Sequence, residues 1–446
     1  MAALGIDGLI SGLKTTDLIA QLMQVESAPQ TLLKSKQTAT TNLATALQSL
    51  NTKVASLAEA ATKATTPASW TATKATSSAT SVSATTSATS TPTQLSFTVD
   101  TLAASQVSLA TYSDLTAAGT LAFRVDGKVT EVAIGTDAAA TARAVSASGA
   151  GVDATVVTAN GTTYLQLTGK TSGEAHAFEV FRGTKAQVEA GTATAVVPAT
   201  IRDASDAHIT LWKGTAAQQT ATSSSNTFSD VLDGTSITVS KVETEAVRLT
   251  VETDTAALTS LASGLVGALN VVLSDIASRT ASTTSTAADG GTVVTGGLLS
   301  GDSAVRDLKF QLQSAASYGV DGVSPSTVGI VIGKDGSFTF DQAKFTAALA
   351  ADPGQVQKVV SGLAQRVADV ATGASDPVEG TLTLKITGQQ KLVKDLGVQI
   401  DDWDRRLAIR KESLQRTYSA LEVTLSNLNS QSSWLAGQLS SLSASS

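Results

Sequence analysis

Residues 393–442 read VKDLGVQIDDWDRRLAIRKESLQRTYSALEVTLSNLNSQSSWLAGQLSSL, and Val393, Ile400, Leu407, Leu414, Leu421, Leu428, Leu435 and Leu442 recur in them at every seventh position. A straight α-helix turns once in 3.6 residues, so a seven-residue stripe held this long keeps facing one partner only if helices wind around each other. At about 1.5 Å rise per residue the stripe is about 74 Å long, more than an ordinary globular helix needs. Leu396, Trp403, Tyr418, Leu425 and Leu439 thicken it, while Arg410, Thr417 and Gln431 interrupt the second row. Asp401 with Arg405, and Asp402 with Arg406, stand four apart with the acid first, the favoured order for helical ion pairs. The stretch predicts a long helix that seeks a partner.

The N-terminal end supplies one. Leu18, Leu22, Val25, Pro29, Leu32, Lys36, Ala39, Leu43, Leu47, Leu50, Val54 and Leu57 alternate four and three apart. Thr16 or Asp17 can cap a helix from Leu18, and Pro29 divides a short first helix from a longer second one. Terminal helices lying side by side, with everything between them carried as one insertion, is the arrangement this pattern predicts.

Between the heptads the period falls to two. Residues 62–93 are rich in Ser, Thr and Ala and suit short solvent-facing strands, with Trp70 needing burial. Leu95, Phe97 and Val99 alternate as a strand; Asp126-Gly127 and Asn160-Gly161 mark two-residue hairpin turns, and residues 137–147 a short helix. Asp233-Gly234 turns into Ile237 and Val239, and Val247, Leu249 and Val251 alternate again. From Asp254 the period returns to helical through Leu258, Leu261, Leu265, Leu269, Val272 and Ile276. A Ser/Thr/Gly loop, a helix from about Ser303, a hairpin across Gly333–Gly336 and a helix through Val356–Val367 follow. Leu382, Leu384 and Ile386 alternate as a last strand before the long helix.

The 446 residues suffice for several domains; 42% are hydrophobic but only 4% aromatic, a composition of stripes and sheets. The net charge of −7 argues against nucleic acid, and the lack of Cys excludes disulfides, thiolate metal sites and Cys nucleophiles. No unbroken apolar run approaches a membrane span, and residues 1–29 lack the pattern of a cleaved signal, so cytosolic residence or signal-independent export is expected. His176 and His208 stand without a second ligand at metal spacing, residues 296–301 lack the context of a phosphate loop, and Asp335 with Asp341 fit a hairpin turn better than a calcium loop. Asn160-Gly161-Thr162 is formally a glycosylation acceptor, but the turn accounts for it. The expectation is a structural protein with no catalytic, cofactor or metal site.

Several segments resemble one family, the bacterial flagellar filament cap proteins (hook-associated protein 2). Ile10–Leu13 followed by Leu18, Leu22, Glu26, Ala28 and Pro29 is similar to the family's opening. FTVDTLAASQVSLA (97–110), SSNTFSDVLDGTSITV (224–239), RLTVETDTAAL (248–258) and VGIVIGKDGSFTFDQAKF (328–345) follow in family order. Residues 382–439 are the most specific match. Lys14 departs from the family's usual Asp, and 119–200 is the least similar stretch. The resemblance implies a multidomain α+β protein: a coiled-coil leg from both termini, with β-rich head domains inserted between them. The expected division is a leg helix at 1–42 pairing with 425–446; a mixed leg domain at 43–66 plus 254–424; a β head at 67–118 plus 200–253; and an inserted β head at 119–199. It further implies an extracellular homo-oligomeric ring at the filament tip that retains exported flagellin and promotes its polymerisation. Flagellin, hook–filament junction proteins and a cytosolic export chaperone are the implied partners, with passage through the flagellar type III route. Leu18, Leu22, Val25, Leu43, Leu47, Leu50, Val54, Leu57, Val393, Ile400, Trp403, Leu407, Leu414, Leu421, Leu428, Leu435 and Leu442 are the expected assembly residues. The alternative, a secreted adhesin, requires a host-surface ligand on the β domains.

Overall fold

The computed structural model describes residues 14–117 and 119–443, with side chains to residue 440; Ile10–Leu13 and the side chain of Leu442 lie outside the described residues. Helices α1 (Thr15–Glu26) and α2 (Ala28–Thr65) open the chain. The short helices α3 (Tyr112–Thr116), α4 (Ala138–Ala147) and α5 (Lys185–Glu189) sit among the central strands. Five helices close it: α6 (Thr255–Thr280), α7 (Ser303–Ser317), α8 (Gln342–Ala351), α9 (Pro353–Ser375) and α10 (Thr381–Ser443). Helix at both ends and strand in the middle make the chain α+β, and it divides into two compact units, Pro67–Leu258 and the remainder.

The helical unit is built on α2. Leu47, Leu50, Val54, Leu57, Ala61 and Ala64 are fully buried, and α9 and α10 pack along the helix. On α9, Val356, Val359, Val360, Leu363 and Val367 form the complementary stripe. Pro29 stands in the first turn of α2, where its missing N–H costs nothing, so the short and long helices divide at Ser27. Helix α1 begins at Thr15, before the expected start, and Lys14 at its N-cap makes no side-chain capping bond. Asp254 does cap α6, accepting from Ala257 N at 2.9 Å. Helix α6 is long and apolar enough to cross a membrane, but it lays Leu265, Leu269, Val272 and Ile276 into this unit's core. Burial pushes the Asp275 carboxyl up, yet bonds from the Lys53 ammonium and the Arg279 guanidinium (2.8 Å) outweigh it and hold the pKa below the ordinary value. That triad ties α6 to α2.

The hairpin Ile330–Ile332/Phe338–Phe340 forms as its sequence predicts, and Asn270 anchors it to α6. Its amide nitrogen donates to Phe338 O at 2.6 Å while its carbonyl accepts from Phe338 N at 2.8 Å. Two sequence expectations are corrected here, and one helix is added. Residues 382–386 are the first turns of α10, not a strand: Leu382 and Ile386, four apart, are buried while Leu384 points to solvent. The loop after α6 contains a hairpin, Thr283–Thr286 with Thr292–Thr295, whose residues are all exposed and so left no alternating pattern. Helix α8 was hidden because only Phe345 and Leu349 of its ten residues are buried.

In the β unit, strands Thr73–Ser77, Glu243–Thr253, Thr93–Thr101, Ala207–Leu211 and Gln219–Ser223 form one antiparallel sheet in that order. It shares a core with the three-stranded sheet of Thr227–Leu232, Thr235–Val239 and Val82–Thr86, centred on Phe97, Val99, Ile209, Phe228 and Ile237. A second body packs two four-stranded sheets with α4 around Phe123, Val145, Leu165, Leu167 and Val180. Its two hairpins turn through Asp126-Gly127 and Asn160-Gly161, all four residues at positive φ as a type I′ turn requires. Its border differs from the expected 119–199. Val107–Thr111 pairs with Thr162–Gly169 and with Ala199–Arg202, and Leu115 is buried in the same core, so residues 107–117 and 200–202 belong to this body. No Gly or Pro separates strand Thr93–Thr101 from strand Val107–Thr111, so the sequence carries no boundary mark.

Candidate assembly surface

The apolar stripes of the terminal helices, where they meet or fail to meet a partner, are the candidate functional surface. Helix α10 runs antiparallel to α1 and to the first half of α2, and polar contacts fix the register. Arg410 Nε donates to Glu26 Oε1 at 2.9 Å, Gln30 donates to Asp404, and Gln37 Nε2 reaches Val393 O at 3.3 Å. Gly397 leaves room for that last crossing, since a Cβ there would stand 3.2 Å from Gln37 Nε2. Leu396 and Ile400 are buried in the seam, and Trp403, Leu407, Leu414, Tyr418 and Leu425 are half-buried along it. The Arg406 guanidinium lies over the Trp403 ring, 5.7 Å from its centroid. Arg405 pairs with Asp402, so the two ion pairs expected four apart are replaced by one pair three apart and one cation–π contact.

The expected assembly residues fall into three groups. Leu47, Leu50, Val54, Leu57 and Ile400 are buried, and Leu43, Val393, Trp403, Leu407 and Leu414 are half-buried. Leu18, Leu22 and Val25, expected to face the long helix, stand on the flank of α1 and are 37% to 75% exposed; Ile19, Met23, Gln30, Leu33 and Gln37 take the seam. Leu421, Leu428 and Leu435 are 43% to 56% exposed, and Trp434 and Leu439 join them. Between the Arg410–Glu26 and Asp404–Gln30 contacts, Leu407 stands at the α1–α2 junction, while the 37-to-393 register places Leu43–Val54 near the start of α10. Both stripes repeat every seven residues, so the heptads alone leave the pairing free to slide; the Glu26, Gln30 and Gln37 contacts select one register.

Sequence reading missed a groove of about 620 Å³ between α1 and α10, on the side away from Leu18 and Leu22. Ile19, Ala20, Met23, Ala408, Tyr418 and Val423 give it apolar walls, with Lys411 and Gln415 at its edge. Its signal lay in Ile19 and Met23, the second apolar pair of α1, four residues apart beside Leu18 and Leu22.

The histidines and carboxylates singled out in the sequence are occupied locally. His176 Nδ1 bonds Asp126 at 2.7 Å and His208 Nδ1 bonds Thr222 at 2.9 Å. Asp335 accepts from Ser337 in its turn and Asp341 caps α8. Among the described residues no group of three or more His, Cys, Asp or Glu is placed to hold a metal.

Comparison with known proteins agrees with this architecture. The family model for the flagellar hook-associated protein 2 N-terminus matches residues 11–106, and that for its C-terminus matches 204–430. Neither covers 107–203, the stretch that folds as the second β body. A lateral flagellar hook-associated protein 2 of Vibrio parahaemolyticus is 29% identical over 221 residues, 48% of this chain and 46% of that protein. The flagellar hook-associated protein 2 of Escherichia coli K12 is 32% identical over 160 residues, 32% of each chain. The matched stretches thus span less than half of either relative. The crystal structure of the D1-D2-D3 domains of the E. coli flagellar cap protein FliD shares the fold, with a TM-score of 0.59 at 23% identity over 77% of this chain and 99% of that one. With its C-terminal family model alone covering more than half of the residues, the chain belongs to the flagellar hook-associated protein 2 family.

Proposed function

We propose that this chain caps the flagellar filament: copies assemble into a ring at the tip, retain exported flagellin and promote its insertion. The observation that carries this reading is the apolar row that α10 continues beyond its pairing with α1. Leu421, Leu428, Trp434, Leu435 and Leu439 are exposed on a helix whose upstream half is packed. A row of this kind gains by burial about 25 cal/mol per Å² and has no reason to persist on a solvent-facing helix. Passage through the flagellar export route, with a cytosolic chaperone shielding the terminal helices beforehand, fits a chain with no cysteine to misoxidise. Flagellin and the hook–filament junction proteins are the partners this role requires. The role is structural and uses no cofactor. No observation favours an adhesin.

The test is complementation of a strain lacking its own copy. Leu428→Asp with Leu435→Asp alters only exposed positions, so the subunit should fold with unchanged circular dichroism. Filaments should nevertheless be short or absent, with flagellin accumulating in the medium. Normal filament length with this variant would refute the role given to α10.

A further inference from the structure

The chain passes between the two β bodies twice, out through residues 102–106 and back through 203–206, and the outward passage is no slack linker. Each of its carbonyls accepts a hydrogen bond. Ser205 Oγ donates to Leu102 O (3.1 Å), Asn226 Nδ2 to Ala103 O (3.1 Å) and Ser205 N to Ala104 O (3.0 Å). Arg202 Nε reaches Ser105 O (2.9 Å) and Gly169 N reaches Gln106 O (2.9 Å). Asn226 also accepts from Ala103 N at 2.8 Å, so one side chain of the first body holds both backbone groups of that residue. Connections between bodies are ordinarily exposed and loosely held, which is why relative motion is the usual expectation. Here the linking backbone is tied down on both sides.

Two adjacent passages still leave one body free to rock about them, and a third contact stops the rocking. Residues 172–176, between the strands Thr162–Gly169 and Glu179–Arg182 of the second body, reach across to the first. Ser172 Oγ donates to Ser224 O (2.8 Å), Gly173 N to Ala104 O (3.3 Å) and Glu174 N to the Asp206 carboxylate (2.8 Å). Ser224 belongs to neither passage; it stands in the turn between Gln219–Ser223 and Thr227–Leu232. The other end of the segment is fastened to its own body. His176 Nδ1 bonds Asp126, Phe178 N donates to Gln106 Oε1 (2.8 Å), and the Phe178 ring is buried in that core. Gly173 sits at φ 109°, which L side chains rarely adopt, and a Cβ there would stand 2.7 Å from Ser224 Cβ and 3.0 Å from Ser224 O. The close crossing needs glycine.

We propose that residues 172–176 are a strap that locks the second β body to the first, so that the two move as one rigid head. Releasing the strap lets the second body swing about residues 102–106 and 203–206, with hinge and lock in different segments. The device holds whether or not the chain forms a ring.

The chain has no cysteine, so two spin labels can be placed without removing any native thiol. Thr158→Cys on the second body and Thr220→Cys on the first are exposed strand positions, and pulsed electron resonance on the full chain reads the distance distribution between them. With the strap intact the expected result is one narrow distribution. Gly173→Ala should broaden it while circular dichroism stays unchanged. Gly191→Ala is the control: it also has positive φ in the second body, but the space around it is open, so the distribution should stay narrow. Should Gly173→Ala fail to fold, Ser172→Ala with Asp206→Ala removes two of the strap's bonds without adding an atom and should give the same broadening. A broad distribution with the strap intact, a narrow one in a folded strap variant, or equal broadening by Gly191→Ala would overturn the proposal.

Discussion

Replacing Leu396 by Ala tests whether the seam between α10 and α2 holds the helical unit together. Leu396 is 2% exposed, on a helix that has few other fully buried residues after Ile386. The substitution removes three carbons from a buried site, about 2.4 kcal/mol at about 0.8 kcal/mol per group. The cavity left behind raises the expected cost to about 3 kcal/mol, inside the ~2–5 kcal/mol range of buried Leu→Ala changes. Leu414, half-buried in the same stripe, should lose about half as much, and Leu428, 56% exposed, should change the isolated subunit by no more than about 0.5 kcal/mol. The assay is urea unfolding followed by helical circular dichroism at a concentration where the chain is monomeric, comparing midpoints at constant slope. The order of loss, Leu396 over Leu414 over Leu428, is the informative result. Equal losses at Leu396 and Leu428, or none at Leu396, would mean that α10 does not pack on α2 in the register described.

Other outcomes follow from the same contacts. Asn270→Ala removes both bonds to Phe338 and leaves two backbone groups unpaired; about 1–3 kcal/mol each if they stay dry, it should speed amide exchange at Phe338 and leave the β unit untouched. The Asp275 pKa is lowered in the fold, so its contribution is present above the ordinary carboxylate value of about 3.9 and is lost as pH falls through the folded value. Urea midpoints of the helical unit should therefore drop below about pH 4, and Asp275→Asn should flatten that drop; an identical profile in the variant would refute the assignment. Excising residues 107–202 with a short Gly/Ser bridge should leave the sheets around Phe97 folded, because Ala104 and Ser205 at the two ends already exchange backbone hydrogen bonds. Loss of all β signal on heating or by circular dichroism would show that the second body is not separable.

The sequence alone determined what depends on neighbours a few residues away. Asp-Gly and Asn-Gly pairs fixed the hairpin turns because their conformation needs positive φ, and Asp254 fixed the start of α6 through a bond to its own third residue on. Heptads of Leu and Val fixed long terminal helices, since only a helix brings positions three and four apart onto one face. What the tertiary structure decided was which of several equivalent local solutions is used. Leu18 and Ile19 are equally apolar and adjacent, so periodicity could not choose the seam; the Glu26–Arg410 and Gln30–Asp404 contacts, hundreds of residues apart, turn Ile19 inward. Three alternating apolar residues at 382–386 suit a strand or a helix, and the packing of α10 on α2 and α9 settles it, with Leu382 and Ile386 buried together and Leu384 left exposed. Val107–Thr111 could have joined either β body by its pattern; its partners at 162–169 and 199–202 claim it through backbone hydrogen bonds that carry no side-chain signature. The groove beside α1 is likewise invisible in one helix, because a concave surface exists only once two helices have been set at a fixed register.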